Sequence, residues 1–160
     1  MIHRVKGNLL DSNCDYICHQ VNCRGVMGSG IAKQIRDRWP EVYRYYRERY
    51  VAWRYAGNYD EEDMLGSIDD IAIENDILNR HVINMYAQSS YGFNHYRYTS
   101  YDAFEDCLYQ IKRLVPVGKT IGFPKGIGCG LGGGDWNIIL RMIETVLGDT
   151  HEVYIYELEE

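Results

Sequence analysis

Along the chain, apolar positions alternate between the two-residue period of strands and the 3.6-residue period of helices. Short apolar or β-branched runs at residues 2–6 and 16–21 each give way to Gly, Asn or Asp, which predicts two strands. From Ile31 the segment IAKQIRDRW has helical spacing, and Pro40 fits the first turn of a second helix, EVYRYYRERYVAW, that ends near Trp53. Polar residues 54–63 read as a linker. Residues 66–74 and 81–87 are strand-like and are separated by NDILN, whereas SSYGFNHYRY reads as an irregular loop. Thr99 opens a helix: the TSYD start can cap its first turn, and Phe104, Leu108, Ile111 and Leu114 recur on one face until Pro116 stops it. Residues 119–123 predict a strand, residues 136–147 a helix ended by Gly148, and HEVYIYEL a last strand.

Strands interleaved with helices along the whole length predict an α/β fold, a three-layer α/β/α domain occupying residues 1–160 as one unit. Its central sheet is mixed, because some strand neighbours are joined too briefly for a parallel crossover. Functional sites belong at the C-terminal ends of the strands.

Composition narrows the function classes. With 46% hydrophobic residues, 160 residues suffice for one well-buried core. No apolar stretch approaches the roughly 20 residues of a membrane helix, and MIHRVKGNLL lacks a signal-peptide core, so the expectation is a soluble, cytoplasmic protein with no membrane partner. A formal charge of -6 argues against general nucleic-acid binding. The five cysteines show no CxxC pair, so reduced thiols are expected, with neither a disulfide framework nor a metal site.

Two segments carry candidate chemistry. In HQVNCRGVMGSGIAKQI a strand ends at Val21 and a helix begins near Gly30, with Gly25, Gly28 and Gly30 between them. Glycines there let backbone N–H groups approach a ligand, and the helix N-terminus adds unpaired donors and partial positive charge, which makes a phosphate seat. FPKGIGCGLGGGDW repeats the same logic with Gly126, Gly128, Gly130, Gly132, Gly133 and Gly134 before Trp136. Two such loops together suggest a diphosphate clamp. Gly118-Lys119-Thr120 is not the end of a Walker A motif, since its first glycine would be Arg113 and a strand follows. Ser29 does not sit in GxSxG.

The wording of these loops, a VNxxGVMGxGIA segment followed by GCGLGG and a Trp before the last helix, resembles the macrodomain family over nearly the whole chain. KGNLL and VYIYEL are similar to that family's opening segment and last strand. The resemblance implies a macrodomain that binds ADP-ribose or a derivative, without a cofactor. It points to the branch of terminal ADP-ribose glycohydrolases, DNA ADP-ribosyl glycohydrolase antitoxins and ADP-ribose-1''-phosphate phosphatases. By that resemblance Asn8, next to Leu9, stands where macrodomains usually carry an Asp that accepts from the adenine amine, so the charge-assisted part of that contact is lost. Asn22 matches the asparagine beside the distal ribose. The loop of Gly28, Ser29, Gly30 and Ile31 matches one diphosphate grip, with Gly25 and Met27 beside it among the expected ligand contacts. Gly126, Gly128, Cys129, Gly130, Leu131 and Gly132 supply the other, Tyr156 flanks the base and Ser89 joins the ligand contacts.

The lysine used by glycohydrolase members should lie in YAQSSYGFNHYRY, which has none, and the aspartate that some relatives place after GCGL is Gly132, with Asp135 displaced toward the helix. His19, with Ser89, Ser90, Tyr91 and Gly92, looks similar to the phosphatase-like members. The candidate catalytic residues are therefore His19 as acid or base, Asn22 as the group that positions ribose or water, and Asp135. Each also has a structural reading: Asp135 as a helix cap, His19 as a hydrogen-bonded core residue, Cys129 as a small loop side chain. The Tyr- and Arg-rich helix reads as amphipathic, with Tyr, Val and Trp packed inward and Arg and Glu pairing outside. The expected function is binding and hydrolysis of an ADP-ribose derivative, of the ADP-ribose-1''-phosphate phosphatase or ADP-ribosyl hydrolase type; the alternative is a non-catalytic reader of ADP-ribosylated partners, macromolecules included, or of ADP-ribose-like nucleotides.

Overall fold

The computed structural model describes residues 1–57, 60–91 and 97–159. Six strands form one sheet: β1 (Ile2–Lys6), β2 (Tyr16–Asn22), β3 (Ile68–Ala72), β4 (His81–Gln88), β5 (Thr120–Pro124) and β6 (Glu152–Glu157). Their spatial order is β1-β6-β5-β2-β4-β3, and every neighbouring pair is parallel except β3 with β4. That pair is antiparallel because only residues 73–80 separate its strands, too few for a crossover. The mixed sheet expected from the sequence is present.

Two helix pairs cover the two faces. Helices α1 (Gly30–Arg38) and α2 (Pro40–Tyr55) bury Ile35, Val42 and Tyr46 against Ile17, Val21, Val82 and Tyr86. Helices α3 (Tyr101–Leu114) and α4 (Trp136–Leu147) bury Phe104, Leu108, Ile139 and Ile143 against Cys18, Met85, Phe123 and Val153. Fully burying each large side chain stabilises the fold by about 1.5–3 kcal/mol, so the core rests on both layers. No described helix is long and apolar enough to cross a membrane.

Local chemistry departs from the sequence reading in two places. Ser100, not Thr99, caps α3 by accepting from the Ala103 amide at 3.2 Å, which leaves the buried Thr99 side chain for another use. On α2 the Arg and Glu residues do not all turn outward. Arg49 reaches the buried carboxylate of Asp69 at 2.5 Å and stacks over the Tyr86 ring at 4.6 Å, since an unpaired buried carboxylate on β3 would be costly.

Candidate ligand-binding cleft

β2 leaves the sheet toward α1 on one face, while its neighbour β5 leaves toward α4 on the other. Adjacent parallel strands with diverging exits open a crevice at their carboxyl ends. The ladder between them holds only Tyr16 with Ile121 and Ile17 with Gly122, so beyond those pairs the strands part. A cleft of about 960 Å³ fills the gap, lined by the C-terminal ends of β2, β4, β5 and β6 and by loops that follow the strands, including the one after β1. This is at the upper end of ordinary small-molecule sites.

The first rim is the loop between β2 and α1. Asn22 lines the cleft, but most of its amide serves the loop: Nδ2 donates to the Val26 carbonyl at 2.8 Å, and Oδ1 accepts from the Arg24 amide at 2.9 Å. The Tyr46 hydroxyl, rising from α2, contacts Asn22 Oδ1 at 2.8 Å and its carbonyl at 2.7 Å. Ser29 precedes α1 without a side-chain capping bond, so first-turn amides stay available beside Gly28, Gly30 and Ile31, all of which line the cleft.

The second rim is the loop after β5. Gly126, Gly128, Gly130, Leu131 and Gly132 all line the cleft. It is a folded loop: the Cys129 amide donates to Gly126, Gly133 to Gly130 and Gly134 to Gly128, at 2.8, 3.1 and 2.8 Å. Gly126 and Gly128 have φ of +80° and +76°, a region that L side chains rarely adopt. Gly130 does not share that conformation.

At the other end of the cleft Asn8 Oδ1 accepts from the Leu10 amide at 3.0 Å and caps the short turn Leu9–Asp11. Asn8, Leu9 and the half-buried Tyr156 all line the cavity. Leu9 fits there because Gly122 lacks a side chain: a Cβ would stand 2.6 Å from Leu9 Cδ1.

Tyr91 also lines the cleft, whereas the remaining described sequence candidates lie off the lining. His19 alternates with Ile17 and Val21 toward α1 and α2, while Cys18 packs in the α3 and α4 layer. Its ring is fully buried, donates from Nε2 to Asn84 Oδ1 at 2.5 Å, and is held neutral by burial, which lowers its pKa to about 4. The Asn84 amide continues to Asp69, which also takes the Tyr86 hydroxyl and Arg49. His19 is thus one end of a buried polar network beneath α2. Asp135 caps α4 through the Asn137 amide at 2.8 Å and does not line the cleft. Gly25 packs under α2, where a Cβ would lie 2.5 Å from Arg47 Nη1 and 2.7 Å from Tyr50 Cδ1. Met27 is buried in the α1 and α2 core as an anchor for the loop. Cys129 turns its thiol toward the Ile127 carbonyl, and burial raises its pKa to about 11. Ser89 offers its carbonyl to the Cys23 amide. Gly92 lies outside the described residues.

Three residues that the sequence reading passed over sit at the second rim: Gln20, Gln88 and Thr99. Gln20 and Gln88 line the cleft floor, and Gln20 Nε2 donates to both Gln88 Oε1 and Thr99 Oγ1, each at 2.8 Å. Strict alternation on β2 was the available signal, because it places Gln20 on the face opposite His19.

No family model matches the chain. Over 48 residues, 30% of this chain, it is 42% identical to a DNA ADP-ribosyl glycohydrolase of Mycobacterium tuberculosis; the match spans 14% of that relative's length. Among solved structures, a protein of unknown function from Bacteroides thetaiotaomicron superposes with a TM-score of 0.81 at 26% identity, covering 98% of both chains. The macrodomain of Mycobacterium tuberculosis DarG gives 0.78 at 22% identity, over 98% of this chain and 97% of its own. Thermosipho africanus DarTG in complex with ADP-ribose gives 0.76 at 18% identity, over 97% of this chain and 41% of its own. By these superpositions the chain has the macrodomain fold.

Proposed function

We propose that the cleft binds ADP-ribose, free or carried by a larger ADP-ribosylated partner. The observation that carries this reading is the pairing of the uncapped α1 N-terminus with the folded glycine loop on opposite rims of one cavity. Backbone amides and a helix dipole favour a dianionic ligand without side-chain charge, in keeping with the chain's formal charge of -6. In this reading the cleft lining at Asn8, Leu9 and Tyr156 takes the base of such a nucleotide. The DarTG complex with ADP-ribose supports the same ligand. We expect a binding free energy of roughly -5 to -8 kcal/mol for ADP-ribose by calorimetry. No heat at millimolar ADP-ribose, with tight binding of a different nucleotide, would remove it as the ligand.

Hydrolysis is a second reading, favoured by the 48-residue likeness to a DNA ADP-ribosyl glycohydrolase. A fully buried His19 does not serve as its acid or base, because a catalytic proton donor must reach the substrate. Among the described residues the groups at the reacting end are Asn22, Gln88, Tyr91 and loop amides, which orient and stabilise charge. Incubation with ADP-ribose-1''-phosphate, ADP-ribosylated protein and ADP-ribosylated DNA, scored for phosphate and ADP-ribose release, tests this reading. Release from none of them leaves the binding role alone.

A further inference from the structure

We infer that the Thr99 hydroxyl, set by Gln20, is the latch that fixes the conformation of the second rim, and that Thr99 is therefore a positioning residue for ligand binding. The affinity part rests on the binding role proposed above; the conformational part does not.

The hydrogen bonds form a chain with one direction. Gln88 Nε2 donates to the Ser90 carbonyl at 2.7 Å, so its Oε1 faces Gln20. Both Gln20 Nε2 hydrogens are then used, one on Gln88 Oε1 and one on Thr99 Oγ1. A hydroxyl that accepts in this way must point its only hydrogen elsewhere, and the Gly128 carbonyl lies 2.7 Å away. The Tyr98 and Thr99 amides close the arrangement by donating to the Gly132 carbonyl at 2.9 and 3.0 Å. Thr99 thus grips the loop at two carbonyls four residues apart, and the Gly134 amide adds a cross-brace onto Gly128 at 2.8 Å. Thr99 itself does not line the cleft, so any effect on a ligand passes through the loop.

The latch explains two otherwise unrelated facts. Gln20 Oε1 is buried without a hydrogen-bond partner, because the two donations by Nε2 fix the amide's orientation and leave the oxygen turned toward the side-chain-free Gly128. Gly128 and Gly132 also tolerate no Cβ: it would stand 2.9 Å from Gln20 Oε1 at the first and 2.5 Å from Thr99 Oγ1 at the second. The glycines let the loop sit down on the latch. An ordered loop holds its amides ready before ligand arrives, which spares part of the ordering cost of binding.

The test compares Thr99→Val, which keeps the shape and removes the hydroxyl, with Thr99→Ser, which restores it. Thr99→Val should raise the Kd for ADP-ribose about tenfold, the equivalent of one buried hydrogen bond, and Thr99→Ser should return it to within about twofold. In the ligand-free proteins, amide hydrogen exchange at Gly134 and Thr99 should be slow in wild type and Thr99→Ser, and faster in Thr99→Val. Wild-type exchange at unprotected rates for those amides overturns the latch whatever the variants do. Equal affinity and protection in Thr99→Val also overturns it, as does a Thr99→Ser protein as weak as Thr99→Val. If wild type binds no ADP-ribose while the exchange pattern holds, the ligand reading fails and the latch stands.

Discussion

The two rims of the cleft look alike in sequence, each a glycine-bearing loop between a strand and a helix, yet they are held by opposite means. The first is fastened by side chains from beneath: Asn22 spans it, the Tyr46 hydroxyl meets Asn22, and Met27 roots it in the core. The second is fastened through its own carbonyls, at Gly128 and Gly132, onto Thr99. The loop with more glycines is therefore not the looser one by default. Glycine's entropic cost on folding is offset there by backbone hydrogen bonds that a side chain would obstruct. Conversely, a single glycine decides the first rim, because α2 presses on Gly25.

Gly25→Val should show the largest effect. It adds a β-branched residue at φ +74° and a Cβ 2.5 Å from Arg47 Nη1. Left-handed strain and overpacking together cost about 4 kcal/mol. Urea unfolding reads the loss directly, and a change under about 1 kcal/mol would mean that α2 does not clamp the first rim.

Acid should separate the rims next. His19 takes a proton at about 4 when folded and at 6.5 when unfolded, owing first to burial. Stability from its neutral state is complete above 6.5 and is lost as pH falls from 6.5 toward 4, by about 3 kcal/mol in total. The network it enters runs through Asn84, Asp69 and Tyr86, whose ring lies 5.9 Å from that of Tyr46, under the first rim. The side chains of the second rim's latch, Gln20, Gln88 and Thr99, hold no titratable group. His19→Leu should flatten the stability profile between pH 6.5 and 4.5, and a slope identical to wild type would discard the assignment.

Much of this was legible in the chain. Strand and helix periods placed the six strands and four α-helices of the described residues, and strand-loop-helix order put both glycine loops at the carboxyl ends of the strands. The orientation of individual loop residues was not legible. Gly25, Met27, Cys129 and Ser89 share loops with cleft residues but face the core or neighbouring backbone, a choice made by partners far along the chain. Thr99 and Tyr46 were hidden for the same reason: their contacts join residues 79 and 24 positions apart, and no local pattern announces them. His19 was the misleading case, because a histidine near a strand end suggests chemistry until alternation puts it on the buried face.

Tyr46→Phe probes the first rim more gently. The ring stays packed while the Asn22 carbonyl and Oδ1 lose the hydroxyl, at a cost of about 2 kcal/mol in stability. ADP-ribose affinity should fall as Asn22 gains freedom, whereas exchange at Gly134 should not change. Loosening of both rims together would show that they are one unit.

The smallest structural effect belongs to Gly130→Val, and it is the sharpest probe of the second rim as a ligand contact. A Cβ at Gly130 meets nothing within 4 Å, and its φ is outside the left-handed region, so the fold has no reason to resist a side chain. Stability should stay within about 0.5 kcal/mol of wild type, the range of ordinary surface changes. Yet Gly130 lines the cleft between Gly128 and Leu131, where added methyl groups occupy space that phosphate oxygens need in order to reach the loop amides. Calorimetry with ADP-ribose should therefore show an affinity loss of about tenfold or more, equivalent to about 1.4 kcal/mol, in a protein that melts like wild type. Gly25→Val and Gly130→Val then bracket the comparison: one glycine is required by the fold and the other by the ligand. Unchanged affinity in folded Gly130→Val protein would move the phosphates off this rim and leave the α1 N-terminus to hold them alone.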